Sequence, residues 1–208
     1  MTGQPGLFQA PLTGPGLDLS VHRAALDQEQ ADVAFSILRN GAPWQQDCIA
    51  MFGRKVAMPR LTAWFGDPGM DYTYSGMRLQ PQPWTAFLAG LRERLEELAG
   101  TSFNSVLLNL YRDGGDGVAW HADDEPDLGR QPVIGSLSLG ATRKFQLRRA
   151  DDWSIKREFD LHHGDVVVMR GPTQELWRHQ IPKTSKLVGE RINLTFRTIV
   201  TLARPQTS

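Results

Sequence analysis

A series of short, closely spaced β segments fills the second half of the chain, and this pattern most limits the folds open to it. Segments rich in apolar and β-branched residues cover residues 103–112, 132–139, 142–149, 155–161, 165–170, 176–181 and 191–200. Turn sequences such as DGGDG, HHGD and RGP separate them. Closely spaced strands of this kind are typical of an antiparallel β-sandwich or jelly roll.

The first hundred residues add helices to this mainly β pattern. Residues 27–40 predict a short helix with Asp27 as its N-cap. Residues 83–99 predict a longer one, because apolar side chains recur there at helical spacing before Gly100 ends the helix. Between them, residues 44–76 predict short strands rich in aromatic side chains. The fold class is therefore mainly β, with helices packed outside (α+β).

The chain length and its few breaks predict one domain. A chain of 208 residues can bury a substantial core in one unit. Residues 1–16 are rich in glycine and proline and predict a loose tail, so we assign the domain to residues 17–208. The N-terminus lacks the pattern of a signal peptide, and no apolar run is long enough for a membrane span. We therefore expect a cytoplasmic protein that does not enter a membrane.

The charge balance and the single cysteine exclude several classes of protein. Lys plus Arg and Asp plus Glu both total 23, so the formal net charge is zero. A purely electrostatic nucleic-acid binder is usually basic, so any such binding here must use a local patch. Cys48 is the only cysteine, which excludes an internal disulfide and a cysteine-rich zinc site.

One stretch, residues 109–125 (NLYRDGGDGVAWHADDE), carries candidate metal ligands. His121 and Asp123 are two residues apart, so in an extended strand both point to the same side. Iron(II) oxygenases bind their metal through two histidines and one carboxylate, and His179 is the best second histidine. We expect Asp123 to be accessible at the surface. A lone His-x-Asp pair is also common as surface decoration, so the motif alone leaves both interpretations open.

Two of the predicted strands have one polar and one apolar face. Alternation places one set of side chains on one face of the first strand: Ser105, Leu107, Asn109 and Tyr111. In the last strand, the residues that share one face are Arg191, Asn193, Thr195 and Arg197. Such faces are compatible with strands that are half exposed to water. They are also compatible with a concave interior that binds an anion, because arginine pairs bidentately with carboxylates.

Taken together, these residues resemble the AlkB family of iron(II)- and 2-oxoglutarate-dependent dioxygenases, in particular its branch that repairs nucleic-acid bases. The resemblance covers roughly residues 44–200. It rests on NLY with Asp113 and Gly114, on HADDE, on His179 and on the ending RINLTFR.

The resemblance implies a double-stranded β-helix over residues 101–200, with residues 17–100 supplying helices and a nucleotide-recognition lid. It implies iron(II) bound by His121, Asp123 and His179, with O₂ as co-substrate. The residues that it implies for 2-oxoglutarate are Asn109, Tyr111, Arg191, Asn193 and Arg197, with Arg191 on the distal carboxylate and Arg197 near the metal.

By the same resemblance, the reaction is oxidative demethylation of N1-methyladenine or N3-methylcytosine in DNA, with RNA as a further candidate, releasing formaldehyde, succinate and CO₂. Glu125 would accept a hydrogen bond from the exocyclic amine, and Asp124 would organise the pocket. A base in a duplex must be flipped out to react. Tyr74 is then the candidate to stack on the flipped base, Tyr72 a second contact, and Phe52 a wedge filling the gap.

Two other functions remain open at this point. A small-molecule 2-oxoglutarate oxygenase fits the neutral charge, and a non-catalytic jelly-roll module fits the strand pattern alone. We expect a monomer. Eight basic residues are candidates for phosphate contacts, without individual assignment: Arg54, Lys55, Arg143, Lys144, Arg148, Arg149, Lys183 and Lys186.

Overall fold

Two antiparallel sheets form the centre of the structure, a computed structural model that describes residues 12–51, 54–70, 72–74 and 77–200. The larger sheet has the strand order β1-β2-β13-β10-β15-β8-β5, and the smaller has the order β12-β11-β14-β9. The larger sheet comprises β1 (Leu12–Gly14), β2 (Leu17–His22), β5 (Leu61–Gly66), β8 (Ser105–Tyr111), β10 (Ile134–Gly140), β13 (Val166–Arg170) and β15 (Arg191–Arg197). The smaller sheet comprises β9 (Val118–His121), β11 (Arg143–Arg149), β12 (Lys156–Leu161) and β14 (Trp177–Ile181).

Two short hairpins lie in the region expected to form the lid. The first joins β3 (Cys48–Met51) to β4 (Arg54–Ala57), and the second joins β6 (Tyr72–Tyr74) to β7 (Met77–Leu79). Neither is hydrogen-bonded into the two large sheets in the described part of the chain.

The helices begin and end where local chemistry requires. Helix α1 (Gln28–Gly41) has Asp27 as N-cap, and a capping box links Asp27 with Gln30. Helix α2 (Ala86–Ala99) ends at Gly100, whose φ of +69° is a left-handed conformation that glycine adopts without steric cost. Helix α3 (Thr173–Leu176) and a 3-10 turn at Pro126–Leu128 are single turns. No helix in the described ranges is long and apolar enough to span a membrane.

Two apolar cores lie on opposite faces of the larger sheet. The outer core packs α1 and α2 on that sheet, with Leu95 of α2 and Leu108 of β8 fully buried. The inner core fills the space between the two sheets and includes Phe145 and Leu147 of the smaller one. Truncating a fully buried leucine such as Leu95 to alanine costs about 2–5 kcal/mol of stability. The functional side chains line the part of this inner space that the apolar core leaves open.

The predicted fold class, a mainly β jelly roll with outer helices, is confirmed. The structure differs from the expected loose tail at Leu12–Gly14, which pair with β2 at the edge of the larger sheet. The strand β2 itself was not predicted. It pairs with β13, which lies far along the sequence, so local pattern did not reveal it.

Candidate active site

Three side chains from the smaller sheet and its adjoining loop form a candidate metal site. His121 ends β9, Asp123 follows two residues later, and His179 lies in the middle of β14. The register pairs His121 directly with His179 across the two strands. One ligand atom from each of the three lies within 4.8 Å of the others. The structure therefore brings together the two-histidine, one-carboxylate set that suits iron(II).

The local backbone orients the His121 imidazole and shapes the chain around His179. The Nδ1 of His121 lies 2.8 Å from the carbonyl oxygen of Ala119, and donation there leaves Nε2 as the ligand atom. The chain just before β9 lies so close to β14 that a Cβ at Gly117 would be 2.7 Å from the carbonyl oxygen of Ile181. The register shifts between His179 and Ile181, next to the metal site. Burial, followed by the charge of His121, lowers the pKa of His179 to about 3, so its imidazole is neutral and able to bind a metal at pH 7.

Asp123 is held by groups from two other parts of the chain. It is only 2% exposed, so the expectation of surface accessibility is wrong. Its carboxylate accepts a hydrogen bond from Arg197, and its backbone N–H donates to Oε1 of Gln174 at 3.0 Å. Burial alone would raise the pKa of Asp123, but the charge of Arg197, followed by those of the two histidines, lowers it below the usual value. Asp123 is therefore ionised and ready to bind a cation.

The predicted polar faces of β8 and β15 both line the same cavity. The strands pair with Arg191 opposite Tyr111 and Asn193 opposite Asn109. All four side chains line the cavity together with the three metal-ligand candidates. The alternating side chains of both strands, such as Leu108, lie in the outer core. The alternation is confirmed, and of the two interpretations left open the concave interior is the one observed.

Arg191 is the strongest candidate to bind a carboxylate. Its side chain is almost fully buried, at 1% exposure. Its Nη2 donates to Ser138 Oγ and to Asn193 Oδ1, both at 2.8 Å, while Nε and Nη1 have no hydrogen-bond partner in the described part of the chain. Burial lowers its pKa to about 10, an effect that Tyr111 opposes and Arg143 reinforces. A buried guanidinium with two unpaired donors fits a carboxylate, as the distal end of 2-oxoglutarate requires.

Asn193 and Arg197 are each engaged within the protein. The amide of Asn193 also accepts from Ser136 Oγ at 3.0 Å and donates to Thr195 Oγ1 at 2.9 Å, which fixes the group that contacts Arg191. Arg197 contacts Asp123, so it lies at the metal end of the cavity, as the resemblance implies. The five residues implied for 2-oxoglutarate thus form one continuous lining.

Two contributing residues were missed by sequence reasoning. Arg60, which lies just before β5, is buried in the cavity wall, and its Nε donates to Asn109 Oδ1 at 2.8 Å. This bond orients Asn109 so that its amide nitrogen serves as the donor. Gln174 holds the backbone of Asp123 from α3. A single arginine or glutamine in a loop follows no periodicity, so no pattern could have identified either.

The acidic pair after the metal motif divides into two environments. Glu125 lines the cavity, and its Oε2 is buried with no hydrogen-bond partner among the described residues. Asp124 is exposed, with its carboxylate 3.5 Å from Nη2 of Arg178. Only Glu125 is therefore placed to contact a molecule in the cavity.

The candidates for base contacts are less fully described. Tyr72 and Tyr74 lie in β6, and their predicted roles stay predictions. Phe52 lies outside the described residues. Among the basic candidates, Arg143 is buried and donates to three carbonyl oxygens, those of Asp113, Asp116 and Pro182. It is therefore not available for phosphate.

Comparison with known proteins agrees with this site. The model of the 2OG-Fe(II) oxygenase superfamily matches residues 18–197. That range contains all three metal-ligand candidates and the whole cavity lining. The fold and site thus define an oxygenase that uses iron(II), 2-oxoglutarate and O₂.

Individual relatives narrow the class. The bovine alpha-ketoglutarate-dependent dioxygenase alkB homolog 3 is 43% identical over 204 residues, covering 93% of this chain and 71% of the relative. The human DNA oxidative demethylase ALKBH2 is 36% identical over 195 residues, covering 89% and 74%. The chain belongs to the AlkB family. The solved structure of OsALKBH1 shares the fold, with a TM-score of 0.64 at 19% identity, covering 89% of this chain and 99% of that one.

Proposed function

We propose that this protein oxidatively demethylates N1-methyladenine and N3-methylcytosine in DNA, with RNA as a further substrate. The names of its relatives support this reaction, since one is a DNA oxidative demethylase and others are alpha-ketoglutarate-dependent dioxygenases. The residues of the cavity support the choice of lesion.

The observation that carries the proposal is the unpaired carboxylate oxygen of Glu125. A buried acceptor without a partner costs roughly 1–3 kcal/mol and calls for a donor from a bound molecule. N1-methyladenine and N3-methylcytosine both present an exocyclic amine beside the methylated nitrogen, and both are cationic. A carboxylate in the cavity that holds the metal ligands satisfies the amine and favours the positive charge.

Each part of the cavity has a defined role in this reaction. His121, Asp123 and His179 would hold iron(II), while Arg191, which has unpaired donors at Nε and Nη1, would bind the distal carboxylate of 2-oxoglutarate. Bound iron(II), with 2-oxoglutarate and O₂, supplies the oxidising power to hydroxylate the N-methyl group, which then leaves as formaldehyde. The apolar wall at Leu107 and Phe145 limits water around the reacting methyl group.

To reach the cavity, the target base must leave the nucleic-acid duplex. A buried site cannot reach a base within a duplex, so the base must be flipped out. Tyr74 as the stacking residue, Tyr72 as a second contact and Phe52 as the wedge remain predictions carried by the resemblance. The cytoplasmic location and the monomeric state are also predictions that await a test.

A panel of oligonucleotides, each with a single methylated base, tests the proposal by mass spectrometry. N1-methyladenine and N3-methylcytosine should lose 14 Da, roughly one methylene equivalent, while a base methylated away from its pairing edge should not. His121→Ala serves as the inactive control. Demethylation of free methylated nucleosides but of no oligonucleotide would instead favour a small-molecule oxygenase.

A further inference from the structure

An arginine is stacked between two tryptophans on the outer face of the smaller sheet. The guanidinium carbon of Arg148 lies 4.1 Å from the ring centroid of Trp120 and 3.3 Å from that of Trp153. Trp120 belongs to β9, Arg148 to β11, and Trp153 to the turn between β11 and β12. Trp153 is 60% exposed, a high value for so large an apolar side chain. Stacking on Arg148 therefore orients the indole without burying it.

A row of three cations crosses the same face. Arg148 pairs in register with Arg178 of β14 on one side and with Lys156 of β12 on the other. Like charges directly opposite one another destabilise a sheet unless something compensates them. Arg178 has Asp124 at 3.5 Å, whereas neither Arg148 nor Lys156 has a salt-bridge partner in the described ranges. The row therefore keeps a net positive charge.

The acidic side chains farther along this face limit the positive charge to one end of the sheet. Glu158 is engaged by Lys144 at 2.8 Å and by Gln146 at 2.9 Å. Lys144 also lies 4.0 Å from Asp160. Positive charge and exposed aromatic surface thus coincide at the end of the sheet near Trp153. This is a local patch of the kind that a chain of zero net charge needs to bind nucleic acid.

The patch lies directly behind the metal site. Trp120 and Arg178 immediately precede the ligand candidates His121 and His179, and their side chains point to the opposite face. Strand β9 is at the edge of its sheet, so only that edge separates the cavity from the outer face. A strand whose target base occupies the cavity can therefore continue over β9 onto the patch.

We propose that this outer-face patch, formed by Trp120, Arg148, Trp153, Arg178 and Lys156, binds the single-stranded nucleic acid that flanks the target base. A base stacks on the exposed face of Trp153, and a phosphate contacts Lys156. Arg178 is engaged by Asp124 and by the carbonyl oxygens of Gln174 and Trp177, so it contributes charge only. Aromatic stacking with cation contacts is the usual means of holding single strands without sequence preference. The inference rests on the proposed function, because it requires that the substrate in the cavity be part of a strand.

The first test measures binding alone, by fluorescence anisotropy with an unmodified single-stranded thymidine oligonucleotide of about 15 nucleotides. Trp153→Ala should raise the Kd roughly tenfold, the effect of losing one stacked base. Trp153→Phe keeps an aromatic face and should stay within about threefold of wild type. Equal Kd values for wild type and Trp153→Ala would overturn the proposal. So would equal losses in both variants accompanied by a lowered melting temperature, since these indicate packing only.

The second test measures the electrostatic part of binding by comparing the same substitution at two lysines. Lys156→Gln should reduce the slope of log K against log salt by about one, since one phosphate contact is lost. Lys144→Gln makes the same chemical change on the same sheet face, but at a lysine already paired with Glu158, and should change the slope much less. A larger change in slope for Lys144→Gln than for Lys156→Gln would contradict a phosphate contact at Lys156.

A third measurement separates this inference from the proposed function. With methylated substrates, Trp153→Ala should raise the KM for the long oligonucleotide roughly tenfold and leave kcat unchanged. The KM for a methylated trinucleotide, too short to reach the patch, should not rise. Binding that depends on Trp153 without any demethylation would reject the proposed function alone. Demethylation that is equally efficient in wild type and variant at both lengths would reject the patch alone.

Discussion

The two sheets contribute to one cavity in contrasting ways. In the larger sheet, β8 and β15 are inner strands with continuous register, and every residue of both is buried. In the smaller sheet, β9 is an edge strand, half exposed, and its register with β14 shifts beside His179. The candidate 2-oxoglutarate residues come from the regular sheet, and the candidate iron ligands come from the irregular one and its adjoining loop.

The difference separates a rigid anchor from an accessible metal site. Arg191, the candidate carboxylate anchor, donates hydrogen bonds to Ser138 and Asn193. Both lie on strands of the larger sheet that pack into the core, so the geometry of Arg191 is fixed before a ligand binds. The metal ligands lie at an edge, which gives the metal and the substrate a route to them. Asp123 joins the two regions, because it belongs to the metal set but pairs with Arg197 of the larger sheet.

The largest expected effect follows from removing the ion pair between Asp123 and Arg197. Asp123→Ala should abolish turnover and also lower the free energy of unfolding by about 3–5 kcal/mol, since Arg197 is left as a buried charge without its carboxylate. His121→Ala should abolish turnover too, but with a stability change of about 1 kcal/mol or less at the half-exposed edge. Formaldehyde release and urea unfolding measure both effects. Equal stability of the two variants would remove Asp123 as the link between the sheets.

Substitution of the candidate anchor Arg191 should give the next largest effect, on the affinity for 2-oxoglutarate. Arg191→Lys keeps a positive charge but loses the bidentate fork, so 2-oxoglutarate binding should weaken by about 1.5–3 kcal/mol, roughly tenfold to a hundredfold in Kd. Arg94→Lys is the matched control, because Arg94 pairs with Glu97 on the exposed surface of α2, away from the cavity. Isothermal titration with 2-oxoglutarate compares the two. An Arg191→Lys protein that binds as tightly as wild type would show that the anchor lies elsewhere.

Substitution of Glu125, the proposed contact to the methylated base, should have a smaller effect, limited to the nucleic-acid substrate and not extending to 2-oxoglutarate. Glu125→Gln keeps the shape but loses the charge, so the KM for an N1-methyladenine oligonucleotide should rise roughly tenfold. Affinity for 2-oxoglutarate should be unchanged. Asp124→Asn removes the same charge from the neighbouring residue, whose side chain is exposed, and we expect only a slight change in this KM. Similar KM values for the two variants would argue against Glu125 as the base contact.

The smallest effect concerns local stability. Removal of iron with a chelator should lower amide-exchange protection in β9 and β14 by about tenfold, because the metal stabilises only the folded arrangement of its ligands. Protection in β8 and β15 should stay within about twofold. Hydrogen exchange followed by mass spectrometry gives both values in one experiment. A uniform loss across both sheets would show that the two regions do not differ in rigidity.

The regular region was predictable from the sequence and the irregular one less so. Alternation in residues 105–111 and 191–197 gave the polar lining of the cavity, because a strand with two environments has a period of two. The helix at Gln28–Gly41 followed from its cap at Asp27 and its stop. These features depend on neighbours in sequence.

Other features depend on contacts between distant segments. The burial of Asp123 follows from Arg197 and Gln174, and the placement of Asn109 follows from Arg60. Arg143 looked like a phosphate contact, but the carbonyl groups of two loops enclose it. The His121 and His179 pair was expected from the two-histidine, one-carboxylate set that iron(II) requires, whereas their direct cross-strand register appears only in the structure.

The most direct test of the account is the stoichiometry of the complete reaction. Wild-type protein with iron(II), 2-oxoglutarate, O₂ and an N1-methyladenine oligonucleotide should yield succinate, formaldehyde and demethylated base in roughly equal amounts. Omitting iron or 2-oxoglutarate should stop all three. Succinate formed with the methyl group left in place, or demethylation that continues without 2-oxoglutarate, would contradict a single site shared by the two sheets.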